Sequence, residues 1–359
     1  MRPHWFFGFL LLPFLYIKRR IERNPQFGAV GNTKALRQSP NWRNGRFRNL
    51  DKTPIQEDLA SLFGDLIGYW KAKNTYPSAA LPVFEGEEAT ILKEDKDYLT
   101  WFGHSALRLE SGGKTILLDP MLGDWVAPIP FLGHRFDYSQ SLDLNGFEEI
   151  DLIVYSHDHY DHLDYESLLA LKDKTKAFLV PLGVGSHLRK WGVPNEKITE
   201  VDWWDEVEIA GIRFIATPAR HFGGRKPRLR NKTLWCGFAI YTAQSRIYFG
   251  GDSGYGRHFC QIGERLGPFD LCMLDSAQYH KRWKNIHMIP EETIQAVDDL
   301  GAEQLLPIHW GGFTLSDHPW SDPVRRILAA DLRKCTLLPQ IRERIQIGDR
   351  DYCNRNWWD

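Results

Sequence analysis

Ser156-His157-Asp158-His159-Tyr160-Asp161-His162 sets three imidazoles and the Asp161 carboxylate in one short stretch. Neutral imidazole nitrogen and carboxylate oxygen suit borderline metals such as zinc. His157 and His159 stand two residues apart, so in an extended segment their side chains point the same way and can grip one ion. Asp161 and His162 follow at once and can face a second ion if the chain turns there. The preceding run, Asp151-Leu152-Ile153-Val154-Tyr155, reads as a short buried strand. The cluster therefore sits at a strand end, where a loop can present ligands.

Asp119 ends Ile116-Leu117-Leu118-Asp119, and His221 ends Thr217-Pro218-Ala219-Arg220-His221. Asp252 stands in Gly250-Gly251-Asp252-Ser253-Gly254, and His309 in Leu306-Pro307-Ile308-His309-Trp310. With the histidine cluster, this succession resembles the metallo-β-lactamase superfamily over residues 97–330. Further strings narrow the resemblance: GHSALRLE (103–110), GDSGYG (251–256), IGERLGPFDL (262–271), IHMIPEE (286–292) and IHWGGF (308–313). Together they are similar to N-acyl-phosphatidylethanolamine-hydrolysing phospholipase D and its bacterial relatives, and more distantly to the ascorbate-6-phosphate lactonase group. The stretch Asp275-Ser276-Ala277-Gln278-Tyr279 differs from that of the mammalian lipase.

The resemblance implies an α/β fold, an αββα sandwich of two mainly antiparallel or mixed β-sheets covered by helices. It also implies two metal positions. His157, His159 and His221 would hold one ion, Asp161, His162 and His309 the other, and Asp252 would bridge them. Two zinc ions are the expected cofactors, with iron or manganese as alternatives, since these ligands suit them also. Asp161 and His287 are the expected catalytic residues. Asp119 and His104 would support the ligands from behind. The implied reaction is hydrolysis of a phosphodiester in N-acyl-phosphatidylethanolamine or a related phospholipid. A lactone or a small cyclic phosphodiester is the alternative substrate.

Two segments near these motifs bear on the substrate. Residues 220–232 hold Arg220, Arg225, Lys226, Arg228, Arg230 and Lys232 with no acid, a loop that either steers phosphate or is a solvated surface. Residues 121–136 are apolar and proline-rich and include Trp125 and Phe131. They read either as an apolar wall against acyl chains or as ordinary core. His4, His134, His187, His258, His280 and His318 lie in no motif.

Of 359 residues, 43% are hydrophobic and 25% charged, which suits a globular protein with a sizeable core. Five cysteines without finger spacing fit a reducing compartment, with Cys260 and Cys272 expected in the core. Residues 1–50 carry ten Lys or Arg against one acid, Glu22. The chain as a whole is at −1, so the remainder is net acidic, which argues against a nuclease. Residues 5–17 are apolar and precede Lys18-Arg19-Arg20. Thirteen residues are short of the roughly 20 that span a bilayer. We read residues 1–23 as a membrane-association segment with the catalytic domain on the cytoplasmic side, the alternative being a soluble cytoplasmic protein. Residues 24–96 read as an extended strap, and 97–359 as the hydrolase domain.

Strands are expected at 98–102, 106–110, 115–119, 151–156, 177–181, 206–210, 212–217, 236–241, 246–250, 269–275 and 303–309. Helices are expected at 165–171, 185–191, 257–266, 290–300 and from Pro323.

Overall fold

The computed structural model describes residues 24–29, 31, 33–54, 72–86, 95–128, 133–331, 333 and 335–359. A hairpin of β1 (Trp42–Arg43) and β2 (Arg46–Phe47) precedes the two sheets in sequence. One sheet holds β3 (Tyr98–Trp101), β4 (Leu107–Ser111), β5 (Lys114–Leu118), β6 (Ile150–Val154), β7 (Thr175–Pro181) and β8 (Ile198–Val201). The other holds β9 (Glu206–Ile209), β10 (Ile212–Thr217), β11 (Gly237–Tyr241), β12 (Arg246–Phe249), β13 (Leu271–Asp275) and β14 (Gln304–Ile308). β15 (Arg344–Gln346) returns to pair with β3. Neighbours β5 to β8 run parallel, as do β12 to β14, while the remaining pairs are antiparallel.

Period-two alternation assigns each strand residue to a layer. Ile116 and Leu118 of β5 and Leu271 and Met273 of β13 meet in one core between the sheets. Leu117 of β5 points the other way, into a second core with Leu168 and Leu171 of α1 (Tyr165–Leu171) and Leu188 of α2 (Gly185–Lys190). Cys272 and Leu274 of β13 point to a third core, which α3 (His258–Leu266), α4 (Pro290–Leu300) and α5 (Asp322–Ala330) cover with Phe259, Ile262, Ala296, Val297 and Ile327. The result is helix, sheet, sheet, helix, as expected. β6, β13 and β14 are buried along their whole length, which is why they read as continuous apolar runs.

Local chemistry fixes the helix ends. Asp164 caps α1 by accepting from Ser167 N at 2.8 Å. Pro290 occupies the first turn of α4, the Glu292 carboxylate accepts from Ile289 N at 3.2 Å, and Gly301 ends the helix at φ 63°.

The other expected elements lie within about two residues of where the sequence puts them. β1, β2, β8 and β15 were not expected. β8 is only half-buried and β15 is three residues long, so neither carries a strong apolar pattern. Cys272 is buried, but Cys260 is exposed on α3, contrary to expectation. The apolar and basic segment 1–23 lies outside the described residues. No helix among the described residues is long and apolar enough to cross a membrane.

At one end of the sandwich the two sheets are stitched together. His104, in the turn between β3 and β4, donates its N–H to Trp310 O at 2.8 Å, and His309 N donates to His104 O at 3.0 Å. Trp101 Nε1 donates to the same His104 carbonyl at 2.9 Å, and its ring stacks on Trp310 at 5.1 Å between centroids. Trp101→Ala should therefore destabilise the protein by about 3–5 kcal/mol through cavity formation. Chemical unfolding of metal-stripped protein checks this, and a loss under 1 kcal/mol would refute the stitch.

Candidate metal centre

Every candidate ligand leaves a strand at the same end of the sandwich. Asp119 follows β5, His157 to His162 follow β6, and His221 follows β10. Asp252 follows β12, Asp275 ends β13, and His309 follows β14. His104, Asp119 and His309 have positive φ values of 55°, 40° and 71°. Residues with a Cβ seldom adopt this backbone, and it lets the strand ends turn inward on one another.

Four overlapping groups have donor atoms within 4.8 Å of one another and could each hold an ion, among them Asp252, Asp275, His287 and His309, and Asp119, His157 and His162; the two that take in the expected ligands are these. One is His157, His159, His221 and Asp252; the other is His104, Asp161, His162 and His309. Asp252 joins them. Its Oδ2 lies 3.8 Å from His157 Nε2, 3.7 Å from His221 Nε2 and 3.3 Å from His309 Nε2, and its Oδ1 lies 3.1 Å from His162 Nε2. Asp161 Oδ2 lies 3.2 Å from His309 Nε2 and 3.1 Å from His104 Nε2.

The outer nitrogens decide which way the inner ones face. His162 Nδ1 donates to Asp119 Oδ2 at 2.7 Å. Ser156 Oγ donates to the same oxygen at 2.5 Å, so its remaining contact, 2.9 Å to His157 Nδ1, is an acceptance from the imidazole. His221 Nδ1 donates to Ile286 O at 3.0 Å and His309 Nδ1 to Ala277 O at 3.2 Å. With Nδ1 spoken for, each of these rings turns its Nε2 to the cleft. His159 differs, facing His221 Nε2 with its Nδ1 at 3.1 Å.

The residues fit a metal on two grounds. His157 Nε2 is buried and lacks a hydrogen-bond partner, and His162 Nε2 and Asp252 Oδ1 have only one another, at 3.1 Å. Buried polar atoms are rarely left so. The donor set of imidazoles and carboxylates is also that of zinc and iron hydrolases.

Charge divides the two halves. Burial, with the neighbouring imidazoles His162 and His159, holds His157 well below the usual histidine range, and burial lowers His221 likewise and His159 to about 4. Burial also opposes charge on His162, but Asp252, Asp161 and Asp119 outweigh it and push that ring up to about 10. His309 is raised for the same reason, by Asp252 and Asp275 against burial. Asp161 and Asp252 stay ionised, held well below the carboxylate range by His162 and its neighbours in spite of burial. His104 is lowered to about 3, first by burial and then by His309, so it donates to Asp161 as a neutral ring.

Asp275 was not singled out from the sequence, yet it is central. Its Oδ2 accepts from His287 Nδ1 at 2.7 Å and its Oδ1 lies 3.6 Å from His309 Nδ1. A strand-end Asp beside the Ile286-His287-Met288 string was the available signal. Two of the expected substrate contacts are corrected. Arg225 is buried, donating to Asp158 O, Leu163 O and Gln26 O, so it clamps the histidine loop from behind and offers no steering charge. Arg220 spends its guanidinium on Thr53, Lys52 O and Tyr255 O. Arg228 is exposed. Trp125 packs edge-on against His134 at 4.5 Å and lines a cavity of about 590 Å³ whose walls include none of the candidate ligands. Phe131 lies outside the described residues.

Comparison with known proteins agrees with this geometry. Residues 114–310 match the family described as beta-lactamase superfamily domain. An uncharacterized protein of Mycobacterium tuberculosis is 42% identical over 303 residues, 82% of this chain and 80% of the relative. N-acyl-phosphatidylethanolamine-hydrolyzing phospholipase D 1 of Caenorhabditis elegans is 31% identical over 250 residues, 66% of this chain and 70% of the relative. The solved metallo hydrolase Igni18 from Ignicoccus hospitalis shares the fold at a TM-score of 0.53 and 20% identity, covering 70% of this chain and 98% of its own.

Two outcomes follow. Asp119→Asn should weaken metal binding about 10–100-fold, because it removes the charge that fixes the His162 ring; titration of stripped protein measures it. Metal uptake at pH 7 should also release protons, since His162 is protonated up to about pH 10 and must surrender that proton to bind. Affinity should therefore fall as pH falls, and calorimetry in buffers of different ionisation enthalpy would expose an absence of proton release.

Proposed function

Since the chain belongs to the β-lactamase superfamily and is a metal-dependent hydrolase of that fold, we propose that it is a dinuclear zinc phosphodiesterase of phospholipase D type. Its substrate is N-acyl-phosphatidylethanolamine or a related phospholipid. His157, His159 and His221 hold one ion, Asp161, His162 and His309 the other, with Asp252 between them.

The observation that carries this reading is the placement of His287. Its ring stacks on His309 at 5.0 Å and meets His221 edge-on at 5.2 Å, so it overhangs both halves of the centre. Asp275 holds its Nδ1 with a carboxylate that matches the charge of the imidazolium form, which leaves the Nε2 proton to be given to a leaving group. The Caenorhabditis relative, whose name specifies hydrolysis of N-acyl-phosphatidylethanolamine, supports the choice of substrate.

When bound, the two ions would activate water and neutralise charge on the phosphoryl oxygens. Asp161, positioned by the hydrogen bond of its Oδ2 with His104 Nε2, would orient that water. Water gives a proton to Asp161 as it adds to phosphorus, the phosphorus–oxygen bond to the alcohol breaks, and the alcohol leaves with the Nε2 proton of His287 in its imidazolium form, the Asp161 proton then restoring that ring. Arg228, exposed beyond His221, attracts the anionic substrate. Residues 1–23, apolar and then basic, bring the catalytic domain to the cytoplasmic face of a membrane.

The test is phosphatidic acid release from vesicles containing N-acyl-phosphatidylethanolamine, with metal content measured on the same samples. Wild type should release it, chelated protein should not, and His287→Asn should lower kcat about 10²–10⁴-fold while keeping its metal. Metal-loaded protein that spares the lipid but opens lactones or cyclic phosphodiesters would replace this substrate with the smaller ones.

A further inference from the structure

Residues within 24–54 run along one side of the site, and two of their contacts hook onto the loops that carry candidate ligands. The first hook lies at Gly28 and Ala29. Ala29 N donates to His187 Nδ1 at 2.9 Å. That nitrogen is thereby an acceptor, so the ring's proton sits on Nε2 and is given to Asp158 Oδ2 at 3.0 Å. Asp158 stands between His157 and His159, and Gly224 N and Thr233 Oγ1 also donate to it, at 2.6 and 2.9 Å. Gly28 has φ 65°, and a Cβ there would come within 1.9 Å of His187 Nδ1, so only glycine permits the approach.

The second hook is Asn49. Its Nδ2 donates to His221 O at 2.8 Å, and its Oδ1 accepts from His221 N at 3.2 Å. The side-chain amide thus pairs with the His221 backbone at two points, as a neighbouring strand would. Trp235 Nε1 fixes the same Oδ1 at 3.0 Å. Between the hooks, Phe47 N donates to Asn231 O at 2.8 Å, which seats the β1–β2 hairpin on the loop that follows His221.

The hooks reach the His157–His159 loop and the His221 loop. These supply the three imidazoles of one ion position. The His162 and His309 rings are fixed instead from within the domain, by Asp119 and Ala277, and the strap reaches the His162 side only through Arg225, which bridges Gln26 O and Leu163 O.

We propose that the N-terminal strap is a positioning element for one half of the centre only. Asn49 sets the His221 backbone, and Gly28 with His187 sets the His157–His159 loop. The ion held by His157, His159 and His221 depends on the strap, and the ion held by Asp161, His162 and His309 does not. The count of two ions rests on the reading given under Proposed function; the geometry of the hooks does not.

The experiment strips the full-length protein and titrates it with Co²⁺ alone, counting bound ions and recording the visible spectrum. His221→Ala and His309→Ala serve as references for the two positions. In Asn49→Ala, one ion should bind as in wild type and the other about 10-fold or more weakly, with a residual spectrum matching His221→Ala. Gly28→Ala should give the same pattern. Arg43→Ala, on the strap but on neither hook, should change nothing. Asn49→Asp keeps the acceptor for His221 N and Trp235 and should fall between, which serves should Asn49→Ala fail to fold. Wild-type affinity for both ions in Asn49→Ala, or a residual spectrum matching His309→Ala, would overturn the proposal. If wild type binds one ion only, the two-ion reading fails; a tenfold weakening of that ion by Asn49→Ala still supports the strap's role, and an unchanged affinity overturns it.

Discussion

A buried carboxylate surrounded by imidazoles governs the arrangement of this protein. Asp252 has four histidine nitrogens within 3.8 Å, and it is almost wholly removed from water. A charge in such surroundings is costly unless it is matched. Imidazolium at His162 and His309 can match it, and so can metal ions. In either case the rings must be held while the compensating charge changes, and the surrounding structure does this holding. Asp119, Ser156, the Ile286 and Ala277 carbonyls and Asp275 occupy the outer nitrogens or lie against them.

That requirement explains the geometry of the strand ends. The parallel runs β5 to β8 and β12 to β14 deliver their loops to one end of the sandwich, where ligands cluster in open α/β sheets. Left-handed turns at His104, Asp119 and His309 then bend those loops inward. The hydrogen bonds between His104 and the His309–Trp310 segment join the sheets where the charge is concentrated. Residues far apart in sequence thereby share one small volume, and no part of the chain could build the centre alone.

The sequence made part of this legible. The run from His157 to His162, the glycine-flanked Asp252 and the strand-end His309 sit in motifs, and the long buried strands announce themselves by unbroken apolar runs. The supporting contacts were harder to see. Asn49 and His187 act through hydrogen bonds to backbone or to a neighbouring carboxylate 29 or more residues away, and nothing in their local pattern differs from a surface residue. The basic loop misled for a related reason. Arg225 and Arg228 are alike in sequence, but one is spent on carbonyls inside the fold and the other is exposed. Composition gives the charge of a loop, and only packing says which charges solvent can reach.

The central claim is that two ions share Asp252, one on each side. Anomalous diffraction at the zinc edge from crystals of metal-loaded protein tests it most directly. The account predicts two peaks, one among His157, His159 and His221 and one among Asp161, His162 and His309, with Asp252 between them. A single peak, or a peak held by Asp275 and His287, would contradict it.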